Sequence, residues 1–280
     1  MSFAGLRVLS LESRRAKEME ALIVRHGGEP FVAPSVKERA IEINDEIFAW
    51  AERLFAGDFD MMVLMTGTGL AYLRDAVVTR HPLERFVESL RKTTLVSRGP
   101  KPIVILHELG LKAQVNVPEP NTWREMVPIL AARPERRITL QEYGKANTEF
   151  VAALEAHGAR VTPLSIYRWE LPDDVAPLHE ATRRIARREC DVVVFTTSVQ
   201  LTHLLQVAAE LNLEEQVMQA LACDLVVASV GPIMDVALAE RGLKPDITPA
   251  HPKMGILMRT AAEQSVEAVA RKRAAAASPR

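Results

Sequence analysis

The chain has 280 residues, of which 48% are hydrophobic and 25% charged, and its formal net charge is −1. These values are typical of a globular protein long enough for two domains, and they argue against nucleic acid or an anionic membrane as a partner. The sequence has no apolar run of the length that a bilayer-spanning helix needs. The amino terminus lacks a signal-peptide core, and the two cysteines, Cys190 and Cys223, fit neither a disulfide framework nor a zinc motif. We therefore expect a cytoplasmic protein.

Hydrophobic patterning predicts alternating strands and helices in the first half of the chain. In order, the predicted elements are a strand at 6–10, a helix at 12–25, an extended segment at 30–34, a helix at 41–55 that packs partly through Ile43, a strand at 58–65, a loop at 66–69, and helices at 70–78, 82–91 and 126–130. The strand at 58–65 is apolar behind an acidic turn, as expected for a strand covered on both faces of a parallel sheet. Thr122 and Glu125 match a capping box at the start of the last helix.

The second half of the chain repeats the first. A separation of 132 residues relates three pairs of turn residues: Gly99 and Gly231, Gly110 and Gly242, and Pro120 and Pro252. A separation of 131 residues relates His26 to His157, both expected at helix ends, and Asp60 to Asp191. The elements predicted here are extended segments at 137–144 and 160–169, a helix at 147–155, a helix ending near 188, a buried strand at 189–195, a helix through 209, a second buried strand from 226, a final helix at 256–269 and a frayed tail at 271–280.

Strands that alternate with helices throughout predict an α/β fold with two similar doubly wound parallel-sheet domains. In such folds, ligands bind at the carboxyl ends of the strands. This rule selects six segments of the chain: 10–14, 66–69, 97–101, 141–145, 196–200 and 229–232.

The selected segments contain three kinds of candidate binding residues. The loop at Thr66, Gly67, Thr68 and Gly69 lacks the third glycine of a dinucleotide site, because Tyr72 stands there, but its backbone N–H groups can bind a carboxylate. Hydroxyl residues that serve as helix caps, anion ligands or both are Thr196, Thr197, Ser198 and Ser229. Cations that are either solvated or ligands of a polyanion are Arg14, Arg15, Arg98, Lys101 and Lys253.

Tyr167 lies in an extended segment between the two halves of the chain. A tyrosine at such a position either packs by its ring or also donates a proton or a directed hydrogen bond. The sequence shows no Ser-His-Asp order, no clustered metal-ligand spacing and no Walker loop. Conventional catalytic motifs therefore do not identify the reaction.

Several motifs occur in an order that is typical of one protein family. They are Asp191-Val-Val-Val-Phe-Thr-Thr-Ser, Ala228-Ser-Val-Gly-Pro232 through Arg241-Gly-Leu-Lys-Pro, and His251-Pro-Lys-Met-Gly255, with support from Gln141-Glu-Tyr-Gly144, Leu154-Glu-Ala-His-Gly-Ala-Arg-Val161 and Pro163-Leu-Ser-Ile-Tyr-Arg168. In this order the chain, apart from its tail, resembles the uroporphyrinogen-III synthases. The resemblance implies that the first strand–helix unit is exchanged between halves, so that one domain holds 1–32 plus 169–280 and the other holds 38–161, joined by linker strands at 33–37 and 162–168. Tandem domains divided near Arg133 are the alternative that the repeat alone allows.

The resemblance also implies a reaction, the cyclodehydration of hydroxymethylbilane to uroporphyrinogen III with inversion of ring D, in a cleft between the domains. It implies a small-molecule substrate and neither a metal nor an organic cofactor, and we expect a monomer. Tyr167 resembles the family tyrosine that assists departure of the substrate hydroxyl. With the cations included, the predicted substrate-binding residues are Thr66, Gly67, Thr68, Arg14, Arg98, Lys101, Thr196, Thr197, Ser198, Ser229, Gly231 and Lys253.

Two features depart from the family pattern. Ile233 and Met234 stand where many members have hydroxyl residues, and the first-half loop is a Thr-Gly-x-Gly variant of the commoner Thr-Ser type. These departures concern the detailed contacts rather than the fold. The competing hypothesis is a noncatalytic regulatory module that binds a tetrapyrrole or another polyanion, which loss of the role of Tyr167 would favour. An oxidoreductase that uses the glycine loop is a third one.

Overall fold

The structure is a computed structural model and describes residues 2–41, 45–119, 121–142, 144 and 146–277. Three residues named in the sequence analysis, Ile43, Pro120 and Lys145, lie outside these ranges. The chain divides into two compact units. Unit 1 comprises Met1–Lys37 with Glu170–Arg280, and unit 2 comprises Glu38–Trp169.

Strands and helices alternate along the described chain. The strands are β1 Arg7–Ser10, β2 Glu29–Val32, β3 Lys37–Ala40, β4 Met61–Leu64, β5 Thr94–Ser97, β6 Val115–Asn116, β7 Arg137–Gln141, β8 Arg160–Leu164, β9 Tyr167–Glu170, β10 Val192–Phe195 and β11 Val226–Ser229. The helices are α1 Ala16–Arg25, α2 Asp45–Phe55, α3 Gly67–Val77, α4 Leu83–Arg91, α5 Pro100–Glu108, α6 Trp123–Ala131, α7 Thr148–Ala156, α8 Ala176–Ala186, α9 Ser198–Glu210, α10 Glu214–Gln219, α11 Pro232–Ala239 and α12 Met254–Ala277. A π-helical turn at Ala220–Asp224 follows α10.

Unit 1 contains a parallel sheet with the strand order β11-β10-β1-β2. Its central strand β10 is buried at every position, as is β11. Side chains that alternate along these strands enter two separate cores, one on each face: Val193 and Phe195 pack on one face, and Val192 and Val194 on the other. Burial on both faces explains why the sequence reads as an uninterrupted apolar run.

Unit 2 contains a second parallel sheet with the order β6-β5-β4-β7-β8. Its central strand β4 is also buried at every position, with Met62 and Leu64 facing one core and Met61 and Val63 facing the other. The predicted α/β class with two doubly wound parallel sheets is confirmed. A separate two-stranded sheet pairs β3 with β9, where the chain passes between the units.

An arginine–aspartate pair is repeated at the amino end of both sheets. In unit 1 the backbone N–H of Arg7 donates to Asp191 Oδ2 at 2.9 Å, and in unit 2 that of Arg137 donates to Asp60 Oδ2 at 3.0 Å. Each arginine side chain also forms an ion pair with the same aspartate. Burial by itself would raise the pKa of Asp191, but the hydrogen bonds and charge of Arg7 outweigh it and lower the pKa. The pKa of Asp60 is lowered chiefly by the side-chain hydrogen bond from Arg137. Because the two pairs are equivalent, the sequences of the two units can be aligned on them.

Local predictions at helix ends are confirmed. His26 and His157 follow the last residues of α1 and α7, and the glycines after them, Gly27 and Gly158, have φ angles of 71° and 84°. These left-handed conformations are the ones that glycine adopts readily at a helix end. The capping box formed by Thr122 and Glu125 opens α6, as predicted.

The prediction of a frayed tail from residue 271 is wrong for the part that is described. Helix α12 continues to Ala277, through a run of alanines with high helix propensity. Lys272 forms an ion pair with Asp246 at 2.8 Å and donates to the backbone oxygen of Leu225 at 2.5 Å, while Arg273 donates to Asp191 at 2.8 Å. These contacts join the end of the helix to the body of unit 1. The sequence analysis also missed α10 and the π-helical turn after it.

Candidate functional site

Each parallel sheet has a carboxyl edge, which is the side where its strands end. In unit 2, Leu64 of β4 is in register with Ser97 of β5 and with Gln141 of β7, so the loops after these strands are neighbours. In unit 1, β10 is likewise in register with β1 and with β11, whose last residue Ser229 lies beside Phe195. The strand-end segments chosen from the sequence therefore meet within each unit, at one edge of its sheet.

Thr66 is the centre of the carboxyl edge in unit 2. It is the N-cap of α3, and its Oγ1 accepts a hydrogen bond from the backbone N–H of Gly69 at 3.0 Å. Its own backbone N–H donates to Oε1 of Gln141 at 3.2 Å. The hydroxyl of Tyr167 donates to Thr66 Oγ1 at 3.3 Å. The structure thus brings together two residues, Thr66 and Tyr167, that the sequence analysis had selected by separate arguments.

Tyr167 is the first residue of β9, and its side chain is only 3% exposed. Its ring contacts Tyr72 edge to face, with centroids 6.1 Å apart and an interplanar angle of 68°. The ring is therefore fixed by packing while the hydroxyl points at the Thr66 loop. Both interpretations that the sequence left open, ring packing and a directed hydrogen bond, hold at once.

The two glycines of the Thr66 loop are required by close packing. A Cβ atom at Gly67 would lie 2.6 Å from the backbone oxygen of Lys101, and one at Gly69 would lie 2.0 Å from Nε2 of Gln141. The first contact places the start of α3 against the start of α5, so that Lys101 and Thr68 belong to the same edge. Packing therefore accounts for this glycine pattern without a nucleotide.

In unit 1 the corresponding loop begins at Thr196. The Thr196 hydroxyl donates to a carboxylate oxygen of Glu12 and accepts from Nε2 of Gln200 at 2.8 Å. The backbone N–H of Thr196 donates to Oε1 of Gln200 at 2.8 Å. Thr197, in extended conformation, and Ser198 follow as half-buried residues at the start of α9.

Ser229 and Gly231 form a tight turn at the end of β11. Ser229 is fully buried, and its hydroxyl donates to the backbone oxygen of Gly231 at 3.3 Å and accepts from the N–H of the same residue at 3.2 Å. Gly231 has a φ of 150°, and a Cβ there would lie 3.0 Å from Cβ of Pro252. The contact places the loop that contains Lys253 beside this turn. Ser97 donates to the oxygen of Gly99 at 2.7 Å in the equivalent turn of unit 2.

The four predicted cationic ligands follow strand ends in both units. Arg14 and Lys253 belong to unit 1, whereas Arg98 and Lys101 belong to unit 2. Arg98 is half-buried, and the other three are exposed. Arg15, the other cation named from the sequence, forms an ion pair with Glu18 on the first turn of α1. Arg98, Lys101 and Lys253 thus lie next to loops of their own edge, whereas Arg14 lies in the segment after β1.

Three side chains at these edges were missed by the sequence analysis. Gln141 and Gln200 were recognised only as the limits of strand-end segments, and Glu12 only as the beginning of a helical segment. All three bond to the Thr66 or Thr196 loop or to the strands beside it. The available signal was a glutamine at the end of an apolar strand, as Gln141 is in β7, or on the first turn of the helix that follows such a strand, as Gln200 is in α9.

Comparisons with known proteins identify the family of the chain. The family model described as uroporphyrinogen-III synthase HemD matches residues 17–259 of the chain. The chain belongs to the uroporphyrinogen-III synthase family. The family is one of porphyrin and haem biosynthesis, which implies a small-molecule tetrapyrrole substrate.

Solved structures show the same fold. A crystal structure of a mutant uroporphyrinogen III synthase from the extremely thermophilic bacterium Thermus thermophilus matches with a TM-score of 0.75 and 25% identity, over 94% of this chain and 100% of that one. Uroporphyrinogen-III synthetase from Helicobacter pylori 26695 matches with a TM-score of 0.53 over 92% of this chain and 99% of that one, but at 10% identity it supports the fold alone.

A curated relative extends over the same region. The uncharacterized protein YjjA of Bacillus subtilis (strain 168) is 25% identical over 261 residues, which cover 91% of this chain and 94% of that protein. Within the residues described here, no helix is both long and apolar enough to cross a membrane. In the same residues, no group of three or more His, Cys, Asp or Glu side chains could hold a metal ion.

Proposed function

We propose that this member of the uroporphyrinogen-III synthase family catalyses the cyclodehydration of hydroxymethylbilane to uroporphyrinogen III. The family match over residues 17–259 supports the substrate class. The observation that carries the proposal is the buried Tyr167 hydroxyl, which is directed at the Thr66 loop on the carboxyl edge of unit 2. This is a proton donor at the edge where ligands of doubly wound sheets bind.

In the proposed mechanism, Tyr167 assists departure of the terminal hydroxyl of the substrate as water. Its hydroxyl donates to Thr66 at 3.3 Å, and on substrate binding it would donate to a substrate oxygen instead. Loss of water leaves an azafulvene, an electrophile that is attacked by the substituted carbon of ring D. The resulting spiro intermediate rearranges and closes to isomer III. The reactive electrons belong to the substrate, and the protein acts mainly by positioning it.

The proposal assigns binding of the substrate carboxylates to both units. Helix N-termini present backbone N–H groups and a partial positive charge to an anion, and nearby cations add charge-assisted hydrogen bonds. The residues proposed for unit 2 are Thr66, Gly67, Thr68, Arg98 and Lys101. Those proposed for unit 1 are Thr196, Thr197, Ser198, Ser229, Gly231, Arg14 and Lys253. Because Ser229 is fully buried and its hydroxyl is bonded within its own turn, its role would be to shape that turn.

The experiment that tests this function is incubation of the purified protein with freshly made hydroxymethylbilane, followed by oxidation and chromatographic separation of porphyrin isomers I and III. We expect isomer III to dominate and to form faster than isomer I forms without protein. Isomer I alone, at the spontaneous rate, would contradict the proposal. In that case, saturable binding of uroporphyrin would favour the noncatalytic tetrapyrrole-binding module.

A further inference from the structure

Two buried glutamines bond to the loops proposed to bind the substrate. In unit 2, Gln141 is fully buried, its Oε1 accepts from the backbone N–H of Thr66 at 3.2 Å, and its Nε2 donates to the backbone oxygen of Glu142. The amide thus links the N-cap of α3, two residues after β4, to the end of the neighbouring strand β7. It does so with both its acceptor and its donor group.

The same link exists in unit 1 but is made from a different position. Gln200 is 1% exposed, its Oε1 accepts from the backbone N–H of Thr196 at 2.8 Å, and its Nε2 donates to the backbone oxygen of Leu11 at 3.1 Å. Here the glutamine comes from helix α9, and the neighbouring strand is β1. In both units, therefore, the amide of a buried glutamine joins the loop after the central strand to the strand beside it.

The repeated arginine–aspartate pairs show how the two positions differ. Gly69 lies as far beyond Asp60 as Gln200 lies beyond Asp191, so a glycine in unit 2 takes the place of the glutamine in unit 1. A Cβ atom at Gly69 would lie only 2.0 Å from Nε2 of Gln141, so the glycine leaves room for an amide that arrives from the other side.

The opposite substitution is found at the end of the neighbouring strand, which carries the arginine of each pair. Leu11 lies as far beyond Arg7 as Gln141 lies beyond Arg137, so unit 1 has an apolar residue where unit 2 has its glutamine. The two units have thus diverged in which element supplies the amide, and also in its main contact: the N–H of Thr197, the counterpart of Thr66, lies 3.4 Å from Oε1 of Gln200, whereas that of the preceding Thr196 lies at 2.8 Å. In unit 1 the glutamine also completes a capping box with Thr197 at the start of α9, whereas in unit 2 the amide comes from a strand.

We propose that Gln141 and Gln200 are positioning residues of the synthase reaction, which fix the Thr66 and Thr196 turns so that the residues after them are oriented towards the substrate carboxylates. This inference rests on the proposed function. A neutral amide suits the role because it both accepts and donates, whereas a carboxylate of the same shape cannot donate and would repel a polyanionic substrate. Neither glutamine needs to touch the substrate.

The test moves the amide of unit 2 to the position that it has in unit 1. The variants are Gln141→Leu, Gly69→Gln, and the double variant with both changes, which reproduces the Leu11 and Gln200 arrangement. We expect each single change to lower kcat/KM about tenfold and to raise the proportion of isomer I, because one loses the amide and the other forces two side chains into one space. We expect the double variant to recover to within about threefold of the wild-type kcat/KM and to restore the isomer ratio.

Gln114→Leu is the matched control. Its amide oxygen also accepts from a backbone N–H, that of Leu95 at 2.7 Å, but at the amino end of β5. This change should leave the isomer ratio and KM unaltered. Amide hydrogen exchange of Thr66 provides a readout that needs no substrate, and exchange should be faster in Gln141→Leu and slow again in the double variant.

The outcomes separate the two proposals. If the wild-type protein forms only isomer I, the proposed function fails, and the positioning role fails with it. If the wild type forms isomer III and folded Gln141→Leu has the same kcat/KM and isomer ratio, the positioning role alone is overturned. If Gln141→Leu does not fold, Gln200→Glu decides, since it keeps the shape and the acceptor. If the KM of Gln200→Glu rises by a larger factor than its kcat falls, the positioning role is supported. If both constants are unchanged, the positioning role is overturned.

Discussion

Replacing Tyr167 with phenylalanine should separate its structural role from its chemical role. The substitution keeps the ring, which is only 3% exposed and contacts Tyr72 edge to face, and it removes only the hydroxyl. The hydrogen bond that is lost, to Thr66 Oγ1 at 3.3 Å, is long, so its net contribution lies near the lower end of the usual range, about 0.5 kcal/mol. The melting temperature should therefore fall only slightly, by about 1–2 °C for a loss of this size in a protein of this length.

The effect on catalysis should be much larger. Positioned proton donors typically contribute about 10²–10⁴-fold to a rate, so kcat for isomer III formation should fall by at least about a hundredfold in Tyr167→Phe. Tyr72→Phe is the matched control, since it alters the other ring of the same pair, and we expect it to retain activity within about threefold. The assay is the initial rate of isomer III formation from hydroxymethylbilane. A Tyr167→Phe variant with near wild-type kcat would refute the role of the phenol in the departure of water.

Three further predictions concern the scaffold. Asp191→Asn should lower the free energy of unfolding of unit 1 by about 2–3 kcal/mol in urea unfolding. The loss is smaller than for a fully buried ion pair because the partner arginines are partly exposed. Asp60→Asn, at the more exposed pair, should lower it by about 1 kcal/mol or less. The pKa of Asp191 is lowered in the folded state, so the stability that its ionised carboxylate contributes is present above its unfolded pKa of about 3.9 and is lost as the pH falls through the folded value. Asp191→Asn should therefore lose less stability than the wild type on acidification. Burial raises the pKa of the Cys190 thiol to about 12, so a chromogenic disulfide reagent should titrate only exposed Cys223 in the native protein and both thiols after unfolding. A fragment with the proposed domain 38–161 and its following linker strand should unfold cooperatively by itself, as followed by circular dichroism, because its sheet and cores are its own.

The sheets could be predicted from the sequence because their central strands are buried on both faces. Such strands are short, wholly apolar runs, and Val192–Phe195 and Met61–Leu64 are recognisable without any knowledge of their neighbours. The end of α12 could not be predicted in this way. The last helical turns are joined to unit 1 by Lys272 and Arg273, whose partners Asp246 and Asp191 lie far away in the sequence.

The site was predictable only in part, for a similar reason. The rule that ligands bind at carboxyl ends of strands selected the Thr66 and Thr196 segments, and the resemblance to the family added a role for Tyr167. The glutamine contacts depend on which strands are neighbours: Gln141 is 75 residues from Thr66, and Gln200 is 189 residues from Leu11. Spacing within one segment carries no information about such contacts.

The internal duplication shows which parts of the scaffold were free to change. At the amino edges, the arginine–aspartate pairs have the same residue types, positions and backbone contact in both units. At the carboxyl edges, the two units present different loops, one built on glycines and one on hydroxyl residues, yet in each a glutamine amide accepts from a backbone N–H of the loop. An edge that served stability alone could have kept its original residues, as the amino edge did. Divergence of the loops with retention of a glutamine amide in each is what we expect if each edge has to hold its loop in a defined position for a ligand.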